Sequence, residues 1–265
     1  MSAKYKSDLS KLRNKLSTLD TKKTESDNRF WKLGKDKGGN GMAIIRFLPE
    51  IDDADMPVVK YFDHWFQNKE NGRWYKEMCP TSPTSSDKRC PVCESNKGLW
   101  DGSEEDKAIA GERKRKLHYV SNIYVVEDPI NPENNGKVFL YMYGETIYNR
   151  LMDKLNPKFE SETPLNAFDL VDGAAFKLKG AKKAEKGKKE MYSYDGSEWM
   201  AVEDMTELPN IDEILEQRHS LIELVDPKLF KSYDELSELL DKTLSGKVYK
   251  RKEQIESDED QDEKD

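Results

Sequence analysis

Apolar residues fall in short runs through the first two thirds of the chain and recur at helical spacing in the last third. Met42-Ala-Ile-Ile-Arg-Phe-Leu48, entered from Gly38-Gly39-Asn40-Gly41 and stopped by Pro49, predicts a strand. A second strand is predicted over 58–66, and Asn71-Gly72 then turns the chain into a hairpin partner over 73–79. A long strand over 117–126 and another over 137–143 flank the turn residues Asp128-Pro129 and Asn134-Asn135-Gly136. Shorter strands are expected at 174–179 and 191–194. Leu9, Leu12, Leu16 and Leu19 repeat at helical spacing, as do Ile147, Leu151 and Leu155 within 145–155. Amphipathic spacing continues over 211–224, and a capping box from Ser232 to Glu235 opens a helix carrying Leu236, Leu239, Leu240 and Leu244. The pattern predicts a mainly β body with α additions and a helical C-terminal part.

Composition adds charged ends to that body. Of 265 residues, 35% are hydrophobic and 36% charged, which implies a modest core with charged appendages. No apolar run approaches the roughly 18 residues of a membrane span, and Met1-Ser2-Ala3-Lys4 leads into no apolar stretch. A soluble intracellular protein without membrane partners is expected. The net charge of −8 is unevenly placed: residues 253–265 hold eight acids and one Lys, a net of −7, which leaves −1 for residues 1–252. Residues 1–32 carry nine Lys or Arg against four acids. This pattern suggests an anionic ligand, with the acidic end an internal mimic of it.

All three cysteines lie in one stretch with one of the three histidines, in the order His64, Cys79, Cys90, Cys93. Cys90-Pro91-Val92-Cys93 is a knuckle that brings two sulfurs to one ion. Three thiolates and an imidazole suit one tetrahedral Zn²⁺ and fill its shell, so the metal is expected to be structural. A redox dithiol and unconnected core thiols are the other readings. A zinc deaminase is disfavoured: Arg89, not Pro, precedes Cys90, and Trp65-Phe66 follows His64 where an H-x-E is needed. The Gly38–Gly41 cluster is no phosphate loop, because a strand follows it where a helix is required.

The tetrabasic run Arg113-Lys114-Arg115-Lys116 directly precedes an aromatic strand. Cations that track phosphates and rings that stack on unpaired bases are what single-stranded nucleic acid needs. Phe47, Phe62, Phe139 and Phe176 are assigned to the core. Tyr119, Tyr141, Tyr143, Tyr192 and Tyr194, with polar tips suited to a wet groove, are the candidate stacking residues.

These residues carry a resemblance. Trp31-Lys-Leu33, Gly39-Asn-Gly41, Ile45-Arg-Phe-Leu-Pro49, His64, Gly72-Arg-Trp-Tyr75, Cys79, Cys90-Pro-Val-Cys93, Lys114-Arg-Lys116, Asn122-Ile123, Asp128-Pro129, Pro132-Glu-Asn134 and Gly136-Lys-Val-Phe139 stand in one order. That order resembles the gene-32-type helix-destabilising, single-stranded DNA-binding proteins of T-even-like bacteriophages. The resemblance implies an OB-fold core over 30–245 with an inserted structural zinc subdomain at about 60–100. It also implies a basic arm over 1–29 for self-association through Lys4, Lys6 and Ser7, and an acidic tail over 246–265 for phage replication and recombination proteins. Asp8 stands where the family's arm has a second hydroxyl. On this reading Arg46, Lys114, Arg115 and Lys116 contact phosphates and Trp100 joins the tyrosines as a stacking ring. A non-enzymatic protein that coats single-stranded DNA in replication, recombination and repair is expected, in the cytoplasm of the infected host. A zinc-stabilised RNA-binding translational regulator and a zinc interaction module of a transcription complex are the alternatives.

Overall fold

The long strand β5 (Lys116–Glu127) is shared by three neighbours. β6 (Val138–Tyr143) runs antiparallel along one edge, from Tyr119 opposite Tyr143 to Tyr124 opposite Val138. The other edge is divided: β3 (Val59–Gln67) pairs with residues 116–120 and β2 (Gly41–Phe47) with residues 123–127. β1 (Phe30–Trp31) joins β6 in parallel, β4 (Trp74–Met78) completes the hairpin with β3, and β7 (Phe176–Lys183) pairs with β2. β8 (Met191–Ser193) and β9 (Glu198–Trp199) both pair with β7. Five α-helices are found among the described residues: α1 (Pro91–Trp100), α2 (Glu104–Arg113), α3 (Glu145–Leu155), α4 (Ile211–Glu216) and α5 (Tyr233–Leu244). This computed structural model describes residues 27–52, 55–183, 191–201, 208 and 210–245. The arm with Lys4, Lys6, Ser7 and the leucine repeat, and the acidic tail, lie outside them.

Tyr119 to Val125 are all buried, so this stretch of β5 is covered on both faces. Odd positions Tyr119, Ile123 and Val125 enter the main core with Phe47, Phe176 and the α3 residues Ile147 and Leu151. Even positions face the C-terminal helical segment: Val120 packs with Leu221 and Val225, and Tyr124 with Leu48 and Ile214. Among the phenylalanines assigned to the core, Phe47 and Phe176 are fully buried while Phe62 and Phe139 pack partly buried against it. The capping box closes as expected: Ser232 Oγ accepts from the Glu235 amide and the Glu235 carboxylate accepts from the Ser232 amide at 2.9 Å.

The structure departs from the sequence pattern in two places. The predicted helix over 211–224 stops at Glu216 and resumes only as a 3-10 turn, Ile222–Val225. Buried Asn122 of β5 accepts from the His219 amide at 2.9 Å and donates to the His219 carbonyl at 2.8 Å, taking the groups that a continued helix would need. α1 and α2 have almost no apolar period to announce them. α1 buries only Pro91, Val92 and Asn96, and α2 only Ala110.

Asp128 ties β1 to the turn after β5. It is fully buried, and its carboxylate accepts from Trp31 Nε1 at 3.0 Å, Asn134 Nδ2 at 3.1 Å and the Asn131 amide at 3.0 Å. Burial opposes its charge, but these donors outweigh burial and hold the pKa below the usual carboxylate value. Asp128→Ala, which strands the indole N–H, is expected to cost about 3 kcal/mol in denaturant unfolding, from hydrogen bonds to a charged group at about 1.5 to 3 kcal/mol each less what water recovers. Because the folded pKa is depressed, this contribution is full above about pH 4, the ordinary carboxylate value, and is lost as pH falls through the folded one. Measured against pH, the difference between wild type and variant should close on the acid side only.

Candidate metal centre and nucleic-acid interface

The β3–β4 hairpin, the loop after it and α1 build one cluster. His64 lies on the inner face of β3 beside Phe66 and near Tyr75 of β4. Cys79 follows β4, and its amide donates to the Phe62 carbonyl at 2.8 Å. Cys90 is the residue before α1 and Cys93 lies in its first turn, where the helix dipole favours thiolate. One ligating atom from each of His64, Cys79, Cys90 and Cys93 lies within 4.8 Å of all the others. Three of the residues are buried and Cys93 is half-buried.

The distances can be tested against an ion. Zn–S bonds of about 2.3 Å and a Zn–N bond of about 2.0 Å at tetrahedral angles require S···S of about 3.8 Å and S···N of about 3.5 Å. Cys79 and Cys93 Sγ are 3.7 Å apart, and Cys90 and Cys93 Sγ each lie 3.4 Å from His64 Nε2. His64 Nδ1 is 2.8 Å from the Arg113 carbonyl, so Nδ1–H donates there and Nε2 is left to ligate. Burial disfavours charge on His64, yet hydrogen bonding to Cys79 and Cys90 outweighs it and raises the imidazole to about 10. Hydrogen bonds from Cys90 and Cys93 hold the Cys79 thiol far below its usual range, against burial. The Cys93 thiol is pushed up by Cys79, Cys90 and burial. Three sulfurs and one imidazole nitrogen converging at these distances form a donor set that fits one metal ion. α5 covers the cluster with Leu236 and Leu240.

Beside this lobe runs a mostly apolar cleft of about 440 Å³, lined by Met56, Val58, Lys60 and Pro83 together with Tyr119, Tyr148, Met152, Leu155 and Phe168. Tyr119 and Tyr148 stack with ring centroids 3.9 Å apart at 9°. Tyr148 carries no sequence assignment, although Tyr148, Met152 and Leu155 repeat at i, i+4, i+7 and mark a second stripe on α3. Lys114, Arg115 and Lys116 are exposed at the entry to β5. Arg115 donates to Thr81 Oγ1 and lies 4.2 Å over the Phe62 ring.

The remaining candidates are scattered. Tyr141 and Tyr143 are buried: Tyr141 meets Trp31 edge-on at 5.3 Å, and the Tyr143 hydroxyl bonds Ser121 Oγ at 2.8 Å. Burial raises the pKa of both phenols above the ordinary value. Their inward placement follows from the covering of both sheet faces, which leaves the paired odd residues of β5 and β6 in the core. Arg46 is also buried and donates to the Asp169 carbonyl at 2.8 Å. Tyr192 and Tyr194 are half-buried and meet edge-on at 5.3 Å, with Lys35 Nζ 3.8 Å over the Tyr192 ring. Trp100 is exposed at the end of α1. Thus the structure places Tyr119 on the cleft wall and Lys114–Lys116 at the entry to the same strand, and brings neither Trp100 nor Arg46 to that wall.

Comparison with known proteins gives a consistent result. A family model described as gp32 DNA binding protein like matches residues 39–244. The single-stranded DNA-binding protein of Enterobacteria phage T2 is 36% identical over 223 residues, covering 81% of this chain and 69% of the relative. The protein of the same name from Enterobacteria phage T4 is 35% identical with the same coverage. That of Enterobacteria phage RB70 is 37% identical over 98 residues, covering 36% of this chain and 79% of the relative.

Proposed function

This chain belongs to the gp32 DNA binding protein like family, and from that premise we propose that it binds single-stranded DNA without sequence preference during phage DNA replication. The observation that carries the reading is the Tyr119–Tyr148 stack in an apolar cleft beside exposed Lys60 and the Lys114–Lys116 run. Stacking suits unpaired bases of any kind, and flexible cations follow the backbone without reading it. The sheet, with strands that exchange partners along β5, is read as an OB-fold core. The metal is read as a single structural zinc held by His64, Cys79, Cys90 and Cys93, which neutralises the thiolates and ties hairpin to helix. The protein acts by binding and not by catalysis, in the cytoplasm of the infected bacterium. The basic arm, through Lys4, Lys6 and Ser7, joins neighbouring copies into cooperative arrays. The acidic tail recruits replication and recombination proteins and rests against the cations when DNA is absent. Recombination and repair are further uses of the same coat.

Competition between single-stranded DNA, RNA and duplex of equal length at one stated salt concentration tests this reading. Single-stranded DNA should win by at least tenfold; equal retention of RNA would favour the translational regulator, and preference for duplex would overturn the reading. Within the cleft, Tyr148→Ala should weaken single-stranded DNA binding by about 1 to 3 kcal/mol while leaving its salt slope unchanged, because a stacking ring releases no counterions. Fluorescence titration at several salt concentrations reads both quantities.

A further inference from the structure

The outer face of the β3–β4 hairpin carries two tryptophans that the core does not use. Strand alternation turns His64, Phe66 and Tyr75 inward to the metal lobe and leaves Trp65 and Trp74 outside, 47% and 52% exposed. Their rings meet at 6.2 Å and 64°. Lys76, paired across the hairpin with Trp65, places Nζ 5.0 Å from one ring and 5.1 Å from the other. Lys116 of β5 places Nζ 5.7 Å from the Trp65 ring. Asp63, which β3 places on this same face, lies 3.0 Å from His118 Nε2. Exposed tryptophan is costly to hydrate, and a pair rimmed by lysines suits a ligand with flat apolar faces and a polyanionic spine.

We propose that Trp65 and Trp74, with Lys76 and Lys116, form a second base-stacking contact for single-stranded DNA, on the sheet face opposite the Tyr119 cleft. The proposal rests on the single-stranded DNA reading above and extends its path. The basic run joins the two faces: Arg115 leans over Phe62 on the inner side, while Lys116 reaches Trp65 on the outer side. Lys116 and Tyr119 are three residues apart on one strand, about 10 Å at about 3.3 Å per residue, so a strand leaving the cleft crosses these cations and arrives at the tryptophans within a few nucleotides. Duplex DNA hides its base faces and gains nothing from such a pair.

The test is a length series of oligothymidylates on the full chain, kept to lengths at which native mass spectrometry shows one protein per strand. Trp65→Ala/Trp74→Ala should bind the shortest tight-binding oligonucleotide within about twofold of wild type and lose about tenfold or more on longer ones. Trp65→Phe/Trp74→Phe should retain most of that gain. Metal content and thermal unfolding equal to wild type show that the hairpin is intact in each variant. Equal affinity of the alanine variant and wild type at every length would overturn the proposal, and altered sedimentation alone would reassign the pair to a contact between copies. Failure of the wild type itself to bind any oligothymidylate would instead overturn the single-stranded DNA reading.

Discussion

Removal of the metal by a strong chelator is expected to unfold the lobe built from residues 59–113 while leaving the main sheet folded. The lobe's interior is the cluster itself: Cys79, Cys90 and Val92 sit beside Phe66 and Tyr75, and α1 and α2 bury few other apolar groups. Three sulfurs within 4.8 Å of one another gain little from each other without a cation, and a structural zinc contributes on the order of 10 kcal/mol of apparent binding energy at neutral pH. That exceeds what a small lobe with so little apolar burial can supply from packing. Hydrogen exchange should show protection lost over β3, β4, α1 and α2 and kept in β2, β5 and β6. Because each ligand must be deprotonated, the metal should also leave as pH falls, with steep cooperative loss. Cys90→Ser should reproduce the chelated state at neutral pH, and elemental analysis should find the metal missing. Unchanged protection after verified metal removal would show that packing alone holds the lobe.

Replacement of Lys114, Arg115 and Lys116 by Ala is expected to produce the largest loss of DNA affinity available at the surface. If each contacts one phosphate, the slope of log K against log salt should fall by about 2, from about 0.7 per contact on single strands. Extrapolated from 1 M, where the free-energy contribution of counterion release is zero, that slope corresponds to a loss of about 10² to 10³ in affinity at 0.05 M salt. The side chains are exposed, and their contacts to Thr81 and the Trp65 carbonyl are minor, so stability should change little. A salt titration showing the wild-type slope would place the phosphate path elsewhere. Together with Tyr148→Ala, which should lower affinity at constant slope, the triple variant separates stacking from charge.

Much of the molecule was legible in the chain. The convergence of His64, Cys79, Cys90 and Cys93 could be read directly, because soft donors at knuckle spacing have few uses and the hairpin between 58 and 79 brings two of them together. The long strand over 117–126, the helix over 145–155 and the Ser232 capping box were equally plain, since each has an unambiguous period or a local hydrogen-bond pattern. Tertiary structure decided what period could not. Alternation says that Tyr119, Tyr141 and Tyr143 share faces, but not that both faces of β5 are covered, which is why Tyr141 and Tyr143 lie in the core and Tyr119 reaches the cleft only at its edge. The register of the β3–β4 hairpin puts Trp65 and Trp74 on one side, and only the lobe packed behind it determines that their side is open. The break in the helix over 211–224 depends on Asn122, nearly a hundred residues away, whose amide competes for the backbone of His219. Local spacing fixes the direction in which a side chain leaves the backbone; what it meets there depends on elements remote in sequence, because burial is decided by packing against them.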